Sequence, residues 1–144
     1  MGNLPAETVA LALGLIAGLH VYWGVGGVWP GRDAQSLART VVGGPPGMKP
    51  PPLLACVAVA GLLLVAAGLL LMTGGVWATW LPTWLLRLGT AGVAAVLLLR
   101  GVAGYFMQRI RPAPAGTPFV RLNLLIYSPL CLLLGGLTVW ALLG

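Results

Sequence analysis

Four long apolar stretches, each bounded by proline, glycine or charge, limit what this chain can fold into more than any other feature. They run from about Leu4 to Trp29, Leu53 to Thr73, Pro82 to Met107 and Phe119 to Leu143. An α-helix rises about 1.5 Å per residue and the hydrocarbon of a bilayer is about 30 Å thick, so about 20 apolar residues cross it. Each stretch is long enough. What remains cannot build a water-facing surface: 7% of the 144 residues are charged, with two acids and eight bases, against about 25% in an ordinary soluble domain. In lipid, the backbone must satisfy its own hydrogen bonds, which apolar segments of this length do as helices. The sequence therefore predicts an all-α, integral membrane four-helix antiparallel bundle forming a single transmembrane domain over residues 1–144. The first stretch reads as a retained helix rather than a signal peptide, because only Glu7 stands near its start and it is too long for an h-region.

The net charge of +6 does not point to nucleic acid. Its bases flank the apolar stretches instead of lining a soluble face. Arg32, Arg39 and Lys49 lie between the first and second spans, and Arg109, Arg111 and Arg121 lie around the third connection. In a four-span bundle those two connections share a side, so the positive-inside rule predicts that they are cytoplasmic and both termini outside. Membrane lipids are the expected partners. Within the first connection, Asp33 is placed to cap a short helix over Ala34–Val42, with Leu37, Val41 and Val42 turned towards the interface. Trp77, Trp80 and Trp84, spaced for one helical face, and Trp23 and Trp29 read as headgroup-level anchors.

Polar residues inside the spans are the functional candidates, because ionisable groups at membrane depth are costly and usually face the bundle interior. His20, Arg100 and Tyr127 fall about 10–14 Å below the boundary on the basic side, and Asn123 about 6 Å, counted at 1.5 Å per residue. Three helices thus offer polar groups in one half of the membrane. Asn123, Tyr127 and Cys131 share a stripe at i, i+4 and i+8. Trp23 lies on the His20 face, and Tyr105 lies not far round from Arg100. Pro129 removes one backbone hydrogen bond from the fourth span, which predicts a kink or local packing that satisfies the freed carbonyl. Cys56 and Cys131 read as buried thiols. One histidine cannot assemble a catalytic triad or, with no other suitably spaced ligands, a metal site. No phosphate-binding glycine loop is present, and no cofactor is expected.

The segments GLHVYWGVGG (residues 18–27), LLACVAVAGLLL (53–64) after a proline run, LLRGVAGYF (98–106) and FVRLNLLIYSPLCLLLG (119–135) together resemble a bacterial family of small integral membrane proteins, domain-of-unknown-function family 3995. The resemblance covers nearly the whole chain. It implies four spans in a bacterial inner membrane and brings no established activity. It marks His20, Tyr22, Trp23, Arg100, Tyr127, Ser128 and Pro129 as positions of interest. It also implies an acidic residue where Asn123 stands, and this chain departs there.

The functional expectation is a membrane protein that binds an anionic amphipathic molecule or lipid headgroup in a cavity of the cytoplasmic half. The expected lining is His20, Tyr22, Trp23, Arg100, Tyr105, Asn123 and Tyr127. Two alternatives stand beside it. One is a small membrane enzyme acting on a lipid or isoprenoid with His20 as acid/base. The other is a structural subunit of a larger membrane complex; besides lipids, the expected partners are further copies of the chain, in a homo-oligomer, or such a complex.

Overall fold

The computed structural model describes residues 2–114 and 116–144. Four helices are long and apolar enough to cross a membrane: α1 (Leu4–Gly24), α3 (Leu53–Thr73), α4 (Thr83–Ile110) and a fourth span over Pro118–Leu143. A short α2 (Ala34–Val41) stands between the first two spans. The fourth span is built from α5 (Pro118–Leu122), a π-helical turn (Asn123–Tyr127) and α6 (Ser128–Leu143). At 1.5 Å per residue, the 21 residues of α1 and of α3 match the hydrocarbon thickness. The 28 residues of α4 exceed it, so α4 extends beyond the hydrocarbon or tilts within it.

Helix ends follow local chemistry. Asn3 caps α1 by accepting from the Ala6 amide, and its own amide donates to the Ala141 carbonyl at 3.2 Å, tying the start of α1 to the end of α6. The α1 helix stops at Gly24, five residues before the expected Trp29. Gly26 takes a φ of +99° that a side chain rarely adopts, and the Trp23 indole N–H donates to the Trp29 carbonyl across the turn. The expected capped helix in the first connection is present. The Asp33 carboxylate accepts from the Ser36 amide at 2.7 Å, and the Ser36 hydroxyl accepts from the Arg32 and Asp33 amides. The Ser36 bond holds the Asp33 carboxyl below its ordinary pKa range, so this cap persists above that range and is lost only as pH falls through the lowered value. Trp77 and Trp80, expected on one helical face with Trp84, instead lie in the loop before α4. All three rings are largely exposed.

Packing is by antiparallel neighbours. The α1 helix lies chiefly against α3, and α4 against α6, with lesser contacts closing the ring between α1 and α6 and between α3 and α4. The buried apolar cluster that joins the helices occupies the half nearer the termini. It contains Val9 and Leu13 of α1, Leu70 of α3 and Leu134 and Ala141 of α6, flanked by Val93 and Leu97 of α4. The Thr73 and Thr90 hydroxyls also meet there at 2.8 Å. In the other half, buried residues fall into two sets: Ala17, Cys56 and Ala60 between α1 and α3, and Gly101, Gly104, Asn123 and Ser128 between α4 and the fourth span. The α2 helix bridges these sets. Leu37 and Ala38 are buried, Thr40 accepts from Tyr127, and Val41 reaches the α1–α3 side.

Glycines set the α4–α6 distance. A Cβ on Gly101 would lie 2.7 Å from the Leu132 side chain and 3.0 Å from its backbone nitrogen, and one on Gly135 would meet Leu98 at 2.7 Å. Lipid tails give apolar helices no reason to associate, so close backbone approach supplies the contact. Gly14, in contrast, faces open space. Gly101→Ala is expected to destabilise the fold by about 1–3 kcal/mol, while Gly14→Ala should be neutral or gain up to ~1 kcal/mol of helix propensity. Unfolding in graded SDS mixed micelles measures both, and equal effects would contradict the packing described.

Candidate functional site: a half-buried arginine between the third and fourth spans

Arg100 sits ten residues before the end of α4, about 15 Å along its axis. Its side chain turns inward. Nη2 donates to Oδ1 of Asn123 at 3.0 Å. Asn123 is almost fully buried and uses its amide in both directions. Its Nδ2 donates to the Gly104 carbonyl at 2.7 Å, and Oδ1 also accepts from the Ser128 hydroxyl at 3.4 Å. Gly104 makes this approach possible, because a Cβ there would collide with the Ser128 hydroxyl and lie 2.8 Å from Nη1 of Arg100.

The π-helical turn creates this geometry. The Ser128 amide bonds to the Asn123 carbonyl, five residues back, directly before Pro129. Proline has no N–H, and its ring clashes with the carbonyl four residues earlier. Widening the turn is one way a helix relieves that clash; the irregularity at Pro129 is thus a π-turn, where the sequence predicted a kink or packing against the freed carbonyl. It also advances the helix phase by one residue. Asn123 and Ser128, at i and i+5, thus come together, and the expected Asn123–Tyr127–Cys131 stripe does not form. Asn123 turns to Arg100, while the Tyr127 hydroxyl donates to the Thr40 carbonyl of α2 at 3.3 Å and its ring lies beside Phe119.

A guanidinium has five N–H donors and no acceptor. The chain's two acids are elsewhere, Glu7 in the first turn of α1 and Asp33 at the cap of α2. The charge of Arg100 is therefore held by a neutral amide, and its Nη1 is buried with no hydrogen-bond partner among the described residues. An uncompensated buried donor costs about 1–3 kcal/mol, and more when charged. Asn123 is specifically suited to its place: an aspartate would pair with Arg100 but could not donate to the Gly104 carbonyl while ionised.

The other expected site residues lie elsewhere. His20 is on the α1–α3 side. Its Nδ1 bonds to the Ile16 carbonyl at 2.8 Å, and its ring stands edge-to-face with Trp23 at 5.1 Å between centroids. The cleft beside it is lined by residues of α1, the end of α2 and the start of α3, without Arg100, Asn123 or Tyr127. His20 and Arg100 therefore do not share that cleft. Tyr22 and Tyr105 are both substantially exposed, and Tyr22 accepts a long 3.5 Å bond from the Trp29 amide. Ser128, a member of the Arg100 cluster, was marked only by the family resemblance. Its signal in the sequence was its place beside Pro129, which shifts the register. Among the described residues, no group of three or more His, Cys, Asp or Glu side chains is placed to hold a metal.

Four long apolar helices around buried small and polar residues define a polytopic helical membrane protein. Residues 13–138 match the model of a family described as protein of unknown function, DUF3995, and the chain belongs to that family. No match to a curated protein or to a solved structure accompanies it.

Proposed function

We propose that this protein binds an anionic amphipathic molecule in the membrane, with Arg100 receiving the headgroup. One observation carries the reading: a buried guanidinium nitrogen with no partner among the described residues, on a residue whose neutral hydrogen-bonding partner leaves its charge uncompensated. A cation at membrane depth is expensive and marks a binding or transport position more often than a packing one. Arg100 as a whole is only half-buried, so a phosphodiester or carboxylate reaching it would supply the missing charge and, with a local shift that opens Nη1, the missing acceptor. Asn123, itself held by Gly104 and Ser128, keeps the guanidinium in place, and the amphipath's tails remain in lipid.

The same reading places the protein in a bacterial inner membrane, with the α2 connection and the α4–α5 connection cytoplasmic and the termini outside. Six of the eight bases lie on that one side, which is where anionic lipid is drawn.

Two experiments test these statements. Lipid that co-purifies through detergent exchange should contain an anionic species in the native protein that is lost in Arg100→Leu, with neutral lipids unchanged by mass spectrometry. An identical lipid profile in the variant would refute the binding role. For orientation, a cysteine at Gln35 should react with a membrane-impermeant maleimide only from the cytoplasmic face, and one at Thr79 only from the other. The reverse pattern would invert the topology.

A further inference from the structure

The cleft beside His20 has a chemistry opposite to that of Arg100 and does not depend on it. His20 and Trp23 of α1, Pro51, Cys56 and Val59 at the start of α3, and Val41 of α2 line a space of about 140 Å³. Apolar cavities near ~150 Å³ accept one benzene-sized ring. The polar groups in these walls are mostly committed already. The Trp23 indole N–H donates to Trp29, and the Cys56 thiol points to the Pro51 carbonyl at 3.8 Å. The Ile16 carbonyl can only accept, so the 2.8 Å bond puts the imidazole proton on Nδ1. In the neutral ring, Nε2 is then an acceptor, and the bond to Ile16 is the ring's one hydrogen bond among the described residues. The cleft is therefore a mostly apolar, ring-sized space with His20 in its wall, and the Nε2 of that ring has no partner among the described residues.

We propose that this cleft binds the hydroxyl-bearing ring of a lipid-soluble phenol or quinol, whose O–H donates to Nε2 of His20. Volume and hydrogen bonding select this class together. A carboxylate or phosphate would set acceptor against acceptor, and a ring without an O–H would leave the nitrogen unpaired. The edge-to-face His20–Trp23 pair supplies an aromatic wall for such a ring.

The chain contains a single histidine, so 15N-labelled histidine reports this site alone. The test uses the full chain in lipid nanodiscs at mildly alkaline pH, titrated with 4-hexylphenol and, separately, with its methyl ether, 4-hexylanisole. The phenol should move the Nε2 resonance to a saturating limit, and the ether should leave it in place. Val59→Phe, which fills the cleft from a partly exposed position, should abolish the response, as should Ala55→Leu if the first variant folds poorly. Arg100→Leu should leave the response intact, which separates this site from the anion site. Equal shifts with phenol and ether, no shift with either, or a response that survives both cleft-filling substitutions would overturn the proposal.

Discussion

A guanidinium among hydrocarbon tails must find its acceptors in the protein or in a headgroup drawn to it, because the tails offer none. In this chain that requirement falls on one side chain. Asn123 accepts from Arg100, accepts from Ser128 and donates to the Gly104 carbonyl. The bonds to Arg100 and to Gly104 need α4 and the fourth span to lie close together. The absence of a side chain at Gly101, Gly104 and Gly135 allows that distance. The π-turn before Pro129 then aims Asn123 and Ser128 at the same point. Packing, backbone irregularity and the polar cluster are therefore one arrangement: remove the glycines and the bonds lengthen, and remove the bonds and a charge is stranded.

The bundle is uneven along the membrane normal. Near the termini, Val9, Leu13, Leu70 and Leu134 share one apolar core. Towards the basic connections, the helix pairs keep separate interiors, and α2 stands between them. That division assigns His20 and Arg100 to different surroundings. His20 meets aromatic and aliphatic walls with a fixed tautomer, whereas Arg100 meets a neutral amide and has a donor to spare. The first suits a neutral hydroxylated ring and the second suits an anion, so two ligand chemistries can coexist in one half of a small protein.

Much of the fold was legible in the sequence, because it follows from length and hydropathy. The limits of α3 need only the prolines at 50–52 and Gly74. The α2 helix was readable from Asp33, since an N-cap residue acts through its own local hydrogen bond. Features that depend on three-dimensional phase were not legible. The Asn123–Tyr127–Cys131 stripe assumed 3.6 residues per turn, and the widened turn breaks that assumption. The common layer for His20 and Arg100 rested on counting from the expected span ends, but α1 stops four residues after His20 whereas α4 continues ten residues past Arg100, and depth in any case does not fix which neighbour a helix face meets. The end of α1 was overrun because Val25, Val28 and Trp29 are apolar, while the positive φ at Gly26 is a backbone property that hydropathy does not record.

Asn123 holds the half-buried charge of Arg100 between α4 and the fourth span. A double-mutant cycle on Arg100→Leu and Asn123→Leu, followed by reversible unfolding in mixed micelles, measures that interaction directly. The account predicts a coupling of about 1–2 kcal/mol, because Asn123→Leu strands the guanidinium only while Arg100 is present. Additivity of the two substitutions within ~0.3 kcal/mol would mean that the guanidinium does not depend on Asn123, and the account would fail.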